Sequence, residues 1–504
     1  MNQTLLKKYP VYLTNSYTRN KEKFEPLNPD RIGLYLCGPT VYGDPHIGHA
    51  RSALTFDIVV RYFRFLGFKV RYVRNITDVG HLEDEVEGSG EDKIGKRARL
   101  EQLEPMEIVQ HYTNRYHAAI DKLNALPPSI EPTASGHIPE QIKIIEKIIE
   151  NGYGYEVEGS VYFDLEKYAS EQPYGKLSGK VLDELQSGSR NTEGLTEKRS
   201  PHDFALWKKA NPEHIMRWDS PWSVGFPGWH LECTTMCTKY LGEEFDIHAG
   251  GLDLQFPHHE AEIAQSFGAF NKNPVRYWMH NNLITIDGQK MSKSLGNFIT
   301  LEQLFSGNHD KLEQAYSPMT TRFFIMQAHY RSPLDFSNKA LQAAEKGLNR
   351  LMNASSLLEQ LQHQPKSTDK KLDDEIRALC HQCYEHMSDD FNTARLIASL
   401  FDIGSKVNAF YNKQLSLESI SADTFELMKE TFNGFIFQVL GIEAEEKNDQ
   451  RERIDGLVNL LIEMRKDART NKDFAAADKI RDELSAMKIQ LKDEKGGKTT
   501  YSLD

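Results

Sequence analysis

The sequence has few cysteines and lacks any long apolar segment. Its 504 residues contain five cysteines, too few for a disulfide-stapled scaffold, and a reducing compartment would keep them as thiols. No stretch approaches the ~20 apolar residues that span a bilayer. The N-terminal segment also lacks the apolar core and cleavage site of a secretory signal. We therefore expect a cytoplasmic protein without a membrane segment, in which a cysteine with a special task is a metal ligand.

A general excess of basic residues is also missing. The formal net charge is −12 at pH 7, whereas non-specific nucleic-acid binders carry a basic surface that neutralises phosphates. Residues 451–504 differ from the rest, because they contain 12 Lys and Arg against 11 Asp and Glu, a net +1. This asymmetry predicts a separate, relatively basic terminal module and leaves a nucleic-acid partner open.

The order of predicted elements indicates an α/β protein with a doubly wound parallel sheet, the Rossmann-like arrangement of nucleotide-binding domains. An apolar strand over 32–37 precedes a helix over 49–66, whose apolar residues recur at helical spacing, and a second strand spans 68–76. After an interruption the alternation resumes, with helices near 229–240 and 258–267 and strands over 245–248 and 277–286. The sheet is therefore discontinuous in sequence.

The predicted domain boundaries follow these changes of pattern. Beyond residue 340 the periodicity is helical, with helices expected near 338–362, 371–388, 392–412 and 423–440. The expected divisions are 1–126 and 225–300 for the two halves of the catalytic domain, 127–224 for an inserted connective domain, 301–340 for a connecting region, 341–450 for a helical bundle and 451–504 for the terminal module.

Two short motifs contain the residue types that bind phosphates. His46-Ile47-Gly48-His49 lies between the first strand and its helix, where free backbone N–H groups and the helix dipole favour an anion. Lys290-Met291-Ser292-Lys293-Ser294 supplies two lysines suited to stabilising charge on a leaving pyrophosphate. Taken singly, the first could be ordinary turn histidines and the second a solvated basic loop.

As a pair, in this order and in the two halves of one sheet, these motifs resemble the signature of class I aminoacyl-tRNA synthetases. The resemblance implies that His46 and His49 bind ATP and stabilise its reacting α-phosphate. It also implies that Lys290 and Lys293 close over the triphosphate, which Mg²⁺ would accompany.

Cysteine, histidine and glutamate residues at distant positions form a candidate metal site. Cys37 ends the first strand, Cys233 lies within a predicted helix, and His258 and Glu262 share one helix face because they are four residues apart. Thiolate, imidazole and carboxylate are sensible ligands for zinc. Spacing alone does not identify such a site, since scattered residues of these types are usually buried thiols and polar helix faces.

Three longer runs resemble the cysteinyl-tRNA synthetase family: 36–42 (LCGPTVY), 228–233 (GWHLEC) and 250–262 (GGLDLQFPHHEAE). The resemblance implies one zinc ion on Cys37, Cys233, His258 and Glu262, which binds the substrate L-cysteine through its thiolate. It also implies that Gly38, Thr77 and Trp229 line the cysteine pocket. The substrates would be L-cysteine, ATP and tRNA(Cys), with a monomeric enzyme, stem contacts and the lysine loop in 301–340, and an anticodon-binding module in 451–504.

Several features are given other interpretations or depart from the family pattern. We expect Cys237, Cys380 and Cys383 to be packing residues, and His259 and Glu260 to have supporting or surface roles because they face away from the ligands. The insertion Gly80–Gly90 is unexplained, and the C-terminus lacks a tryptophan common in the family. Two alternatives remain: a zinc-dependent ligase that joins cysteine to an amino sugar, and a non-catalytic RNA-binding relative.

Overall fold

The computed structural model describes most of the chain and separates it into two compact units, Met1–Glu443 and Ala444–Asp504. The described residues are 3–80, 82–84, 89–180, 198–212, 214–292, 295–445, 449–471, 473–487, 489–493 and 499–503. Lys293 lies outside them, as do positions 81 and 85–88 of the insertion Gly80–Gly90. Among the described residues, no helix is both long and apolar enough to cross a membrane.

The first unit mixes strands and helices up to Phe336 and is helical beyond it. Its strands are β1 (Tyr12–Asn15), β2 (Asn20–Lys23), β3 (Arg31–Leu36), β4 (Lys69–Arg74), β5 (Leu82–Asp84), β6 (Ser89–Asp92), β7 (Gly154–Val157), β8 (Ser160–Phe163), β9 (Phe204–Lys209), β10 (Gly225–Pro227), β11 (Phe245–Gly251), β12 (Val275–Asn281), β13 (Ile284–Ile286), β14 (Gln289–Lys290) and β15 (Leu334–Phe336). Its α-helices are α1 (Gln3–Lys8), α2 (Ile47–Phe65), α3 (Lys93–Glu101), α4 (Pro105–Lys122), α5 (Ile138–Glu150), α6 (Leu165–Glu171), α7 (Trp229–Leu241), α8 (His258–Phe270), α9 (Leu301–Ser306), α10 (Pro318–Met326), α11 (Asn338–Gln360), α12 (Lys370–Ser388), α13 (Thr393–Tyr411) and α14 (Ala422–Asn433).

A four-stranded parallel sheet in the order β12-β11-β3-β4 confirms the predicted Rossmann-like fold. The strands are rich in buried apolar residues, as expected for parallel strands with helices on both faces. The chain runs outward from β3 to β4 through α2, and outward in the other direction from β11 to β12 through α8. The point of reversal therefore lies between β3 and β11, and ligands of such sheets bind outside the carboxyl ends of the strands at this point.

A second sheet, antiparallel and in the order β10-β9-β8-β7, is built from residues between β4 and β11. The hairpin of β7 and β8 turns through Glu158 and Gly159, both with positive φ. The single strand predicted over 277–286 is wrong: β12 ends at Asn281, and β13 instead pairs with β14 and β15. The backbone of Asn282 between them bonds to Tyr330 and to the Arg51 side chain, which draws the chain out of the central sheet.

The helices after β15 match the predicted positions closely, and α14 continues into a π-helical turn over Gly434–Val439. A buried arginine on α10 connects this region to α2. The fully buried Arg322 of α10 donates to the Asp57 carboxylate on α2 and to the carbonyl oxygens of Leu440 at 2.6 Å and Leu123 at 2.8 Å. Helix α2, which begins at the His46 motif, is thereby fixed to the end of the helical region.

The second unit contains helices α15 (Asp449–Thr470) and α16 (Phe474–Ala486) and the antiparallel hairpin of β16 (Ile489–Asp493) and β17 (Thr499–Leu503). A small apolar core of Val458, Leu484 and Ile489 holds these elements together. Helix α15 exposes large apolar side chains, among them Leu457, Leu460 and Met464.

Candidate active site and metal centre

The four predicted metal ligands converge at the carboxyl ends of the central strands. Cys37 directly follows β3, Cys233 lies on α7, and His258 and Glu262 lie on the first two turns of α8. Their ligand atoms all lie within 4.8 Å of one another. Cys37 Sγ is 3.5 Å from Cys233 Sγ and 3.8 Å from Glu262 Oε1, while His258 Nε2 is 3.4 Å from Cys233 Sγ and 3.2 Å from Glu262 Oε1.

These separations fit a tetrahedral zinc ion. Zinc bonds of about 2.0–2.3 Å place neighbouring ligand atoms of a tetrahedron about 3.3–3.8 Å apart, and the observed separations of 3.2–3.8 Å nearly match this range. A second grouping, of Cys37, His248, His259 and Glu262, also satisfies the 4.8 Å separation. The first set has two thiols, the softer ligands that zinc takes in its structural sites.

Electrostatics also favour a cation at this cluster. Burial is the main cause that raises the pKa of the Cys37 thiol well above its ordinary value and the pKa of the Cys233 thiol to about 12. The same cause raises the pKa of the Glu262 carboxyl. A divalent ion supplies the positive charge that stabilises the deprotonated forms of such buried acids.

Histidines behind the cluster orient its ligands. His248 Nε2 lies 2.8 Å from Glu262 Oε2, and His259 Nε2 lies 3.2 Å from Cys37 Sγ. A surface role for His259 and Glu260 is therefore wrong, since both side chains are buried, and Glu260 accepts from the Ser178 backbone at 2.8 Å. Helix α8 is buried on nearly all its faces, so facing away from the ligands does not mean facing solvent.

Gly38 sits where only a glycine fits. A Cβ atom there would lie 1.6 Å from the carbonyl oxygen of Asn75. The Asn75 side chain, fully buried, accepts from the Gly38 backbone at 2.8 Å and donates to Thr77 Oγ1 at 3.2 Å. Asn75 thus links the segments that follow β3 and β4 beside the metal cluster, where its Oδ1 is 3.7 Å from Cys233 Sγ.

Trp229 and Thr77 converge on Glu232, a residue that the sequence did not single out. Trp229 begins α7 and packs its ring on His258, with ring centroids 4.4 Å apart. Thr77 Oγ1 donates to Glu232 Oε1 at 2.5 Å, and the Trp229 side chain hydrogen-bonds the same carboxyl group. Burial raises the pKa of Glu232 well above its ordinary range. In the sequence, only its place one residue before Cys233 could have indicated a functional role for Glu232.

The two histidines of the first motif cap helix α2. His46 is the N-cap and accepts from the Gly48 backbone through Nδ1 at 3.1 Å, while His49 Nδ1 accepts from the His46 backbone at 3.2 Å. Because each Nδ1 is an acceptor, the neutral rings carry their protons on Nε2 and donate from there. The rings stack with centroids 3.8 Å apart, and burial lowers the pKa of His49 to about 4. Two uncharged donors are therefore presented at a helix N-terminus.

The lysine motif follows the turn after β13. Lys290 is exposed on the short strand β14, and the buried Asn297 side chain holds the loop by donating to the Lys290 carbonyl at 3.1 Å and accepting from the Ser292 backbone at 2.8 Å. The Met291 side chain approaches Gly48, where an added Cβ atom would lie 3.8 Å from Met291 Cε. The two motifs are therefore neighbours, although Lys293 itself lies outside the described residues.

Two of the cysteines outside the cluster lie on the helical region, and the third lies on α7. Cys380 and Cys383 are fully buried in the apolar core. Cys237, also buried, donates to the backbone of Thr234 at 3.3 Å and belongs to neither metal grouping.

Family comparisons agree with this geometry. The family model "tRNA synthetases class I (C) catalytic domain" matches residues 23–346, and the "DALR domain" model matches residues 382–445. A solved structure of Mycobacterium tuberculosis methionyl-tRNA synthetase in complex with methionyl-adenylate shares the fold, with a TM-score of 0.55, 13% identity and coverage of 82% of this chain and 90% of that chain. Fold and site together define a class I aminoacyl-tRNA synthetase.

Relatives identify the branch of that class. "Cysteine--tRNA ligase" of Bacteroides fragilis is 57% identical over 491 residues, 97% of this chain and 98% of the relative. The enzyme of the same name from Porphyromonas gingivalis is 55% identical over 491 residues, with the same two coverages. The chain belongs to the cysteine–tRNA ligase family, and the resemblance seen in the sequence is confirmed.

Proposed function

We propose that this protein ligates L-cysteine to tRNA(Cys) in two ATP-dependent steps. The cysteine carboxylate attacks the α-phosphate of ATP to form cysteinyl-adenylate and release pyrophosphate. A ribose hydroxyl of the terminal adenosine of the tRNA then attacks the carbonyl of the adenylate, which forms the cysteinyl ester and releases AMP. The observation that carries the proposal is that the cluster of Cys37, Cys233, His258 and Glu262 and a helix N-terminus with two imidazole donors both follow carboxyl ends of the central strands.

The imidazoles and lysines act on ATP. His46 and His49 donate from Nε2 to the phosphates without adding charge, and the free N–H groups at the start of α2 favour the same anion. Lys290 and Lys293 stabilise the negative charge that moves onto the leaving pyrophosphate, and Mg²⁺ accompanies ATP.

Cysteine selection is assigned to the metal cluster. Cys37, Cys233, His258 and Glu262 would hold a zinc ion, which would supply a Lewis acid for the substrate thiolate. A pocket that distinguishes substrates only by size gains about 1–3 kcal/mol, and a serine hydroxyl is a much poorer zinc ligand than a thiolate. Gly38, Thr77 and Trp229 line the pocket for the rest of the amino acid.

The tRNA contacts are assigned to the parts beyond the sheet. Residues 301–340 contact the acceptor stem, 341–450 form the helical bundle and 451–504 bind the anticodon, where 12 Lys and Arg balance 11 Asp and Glu. The two halves of the catalytic domain are 1–126 and 225–300, with the connective domain 127–224 between them. The enzyme acts as a cytoplasmic monomer.

Three measurements on one preparation test the proposal: cysteine-dependent ATP–pyrophosphate exchange, zinc content by elemental analysis, and charging of tRNA(Cys). The proposal is supported if the preparation catalyses pyrophosphate exchange, contains about one zinc per chain and charges tRNA(Cys). Exchange without charging would favour a ligase that acts on an amino sugar. Bound zinc with no exchange would favour a non-catalytic RNA-binding protein.

A further inference from the structure

Glu232 is a buried carboxyl group that the proposed function does not use. It lies on α7 between Trp229 and Cys233, with 2% of its surface exposed. Its carboxyl group accepts hydrogen bonds from Thr77 and Trp229, both uncharged donors, and the nearby Asp78 adds negative potential. A buried carboxylate is normally paired with a cation. Neither of these two donors is charged, so a cation bound in the pocket beside Glu232 would supply the opposite charge.

The hydrogen bonds around Thr77 define what kind of group this pocket accepts. A hydroxyl has one proton and two lone pairs. Thr77 Oγ1 gives its proton to Glu232 Oε1 at 2.5 Å and receives a hydrogen bond from Asn75 Nδ2 at 3.2 Å. One lone pair remains, so a ligand that meets this hydroxyl must be a hydrogen-bond donor.

The substrate offers one group that meets both requirements. Cysteine has a thiol, a carboxylate and an α-ammonium group; the thiol belongs to the metal cluster and the carboxylate to the α-phosphate of ATP. Only the ammonium group remains, and it is both a donor and a cation. Thr77 is close enough for this, because Asn75 contacts Thr77 through Nδ2 and lies 3.7 Å from Cys233 Sγ through Oδ1.

We propose that Glu232 is a positioning residue for recognition of the α-ammonium group of cysteine. It holds Thr77 Oγ1 with a lone pair toward the pocket, and its carboxylate supplies the opposite charge. It also fixes Trp229 at the start of α7 through a hydrogen bond. This inference rests on the proposed function and adds a second check on the substrate, independent of the thiol.

The test compares cysteine with 3-mercaptopropionic acid, which has the thiol and the carboxylate but no amino group. Both are titrated by calorimetry into the full-length, zinc-loaded protein and its Glu232→Gln variant. We expect Glu232→Gln to weaken cysteine binding roughly 10- to 100-fold, the range for a hydrogen bond to a charged group. Binding of 3-mercaptopropionic acid and the zinc content should remain as in the parent.

Steady-state pyrophosphate exchange gives an independent readout. The KM for cysteine should rise by the same factor, while kcat changes less than about threefold, since the ammonium group is bound equally in the ground and transition states. Thr77→Val should reproduce the selective loss and Thr77→Ser, which keeps the hydroxyl, should largely restore binding. The effects of Thr77→Val and Glu232→Gln should combine to less than their product, because one acts through the other.

Three results would overturn the inference: loss of zinc in Glu232→Gln, equal weakening of both ligands, or unchanged cysteine binding in both Glu232→Gln and Thr77→Val. If Glu232→Gln does not fold, the comparison of Thr77→Val with Thr77→Ser alone tests the inference. Cysteine-dependent exchange by the parental protein is measured before any variant is compared. If the parental protein shows no exchange, the proposed function itself is refuted.

Discussion

His46 has two roles that one substitution can separate. Its Nδ1 caps helix α2 by accepting from the Gly48 backbone at 3.1 Å, and its Nε2–H is assigned to the phosphates of ATP. Asparagine is among the best N-cap residues. In His46→Asn the side-chain oxygen can replace the cap, while the shorter side chain no longer reaches the position of Nε2.

Loss of each role has a different expected effect, one on the reaction rate and the other on stability. Removal of one preorganised donor from a transition state costs about 10²–10³-fold in rate, or 2.7–4 kcal/mol. Loss of an N-cap costs about 1 kcal/mol of stability. We therefore expect His46→Asn to slow adenylate formation about 10²–10³-fold at parental stability. His46→Ala should show the same rate loss and also unfold at a lower denaturant concentration.

The assay is cysteine-dependent pyrophosphate exchange at saturating cysteine and ATP, with urea denaturation in parallel. Zinc content serves as the control, because the contacts of His46 with Gly48, His49 and Phe298 lie outside the cluster. A His46→Asn variant with an exchange rate within about threefold of the parent would refute the assignment of Nε2 as a phosphate donor. A variant with parental rate but lowered stability would show that the capping role is the only one.

Three further predictions concern the metal cluster, pH and the buried ion pair. Cys233→Ser should lower bound zinc from about one to below about 0.1 per chain, measured by elemental analysis, whereas the matched control Cys237→Ser should retain it. The pKa of His49 is about 4 in the folded protein, against about 6.5 in an unfolded chain. Because the unfolded chain binds the proton more tightly, the stability that depends on the neutral His49 ring is complete above about pH 6.5 and is lost as the pH falls toward 4. In His49→Gln the unfolding free energy should therefore depend less on pH over that window. An unchanged pH dependence would contradict the assignment. Arg322→Met should lower the unfolding free energy by about 3–5 kcal/mol in urea denaturation, because it leaves Asp57 and backbone carbonyls without a buried partner. A change below about 1 kcal/mol would show that the ion pair contributes little to stability.

The sequence predicted the parallel sheet and the placement of its helices because apolar periodicity and turn residues are local signals. Strand β3 and helix α2 were found within two residues of their observed bounds. The break between β12 and β13 was missed because it depends on distant partners, the Tyr330 backbone and the Arg51 side chain. Nothing in the residues 277–286 records those contacts.

The metal cluster was predicted through family resemblance, since its members are far apart in sequence and no periodicity joins them. Asn75 and Glu232 were missed for a related reason. Each acts through hydrogen bonds to residues that the fold brings close, and neither residue type at such a position is distinctive in sequence. The burial of His259 was missed because helical spacing assumes one apolar face, which α8 does not have.

The metal cluster also sets an order of events during synthesis. Cys37 and Cys233 are 196 residues apart, on opposite sides of the antiparallel sheet in the chain. At about 5–20 residues per second, the ribosome needs about 10–40 s to travel that distance. During this interval the nascent chain contains Cys37 but not Cys233. The cluster can therefore form only after both halves of the central sheet have been synthesised and have assembled.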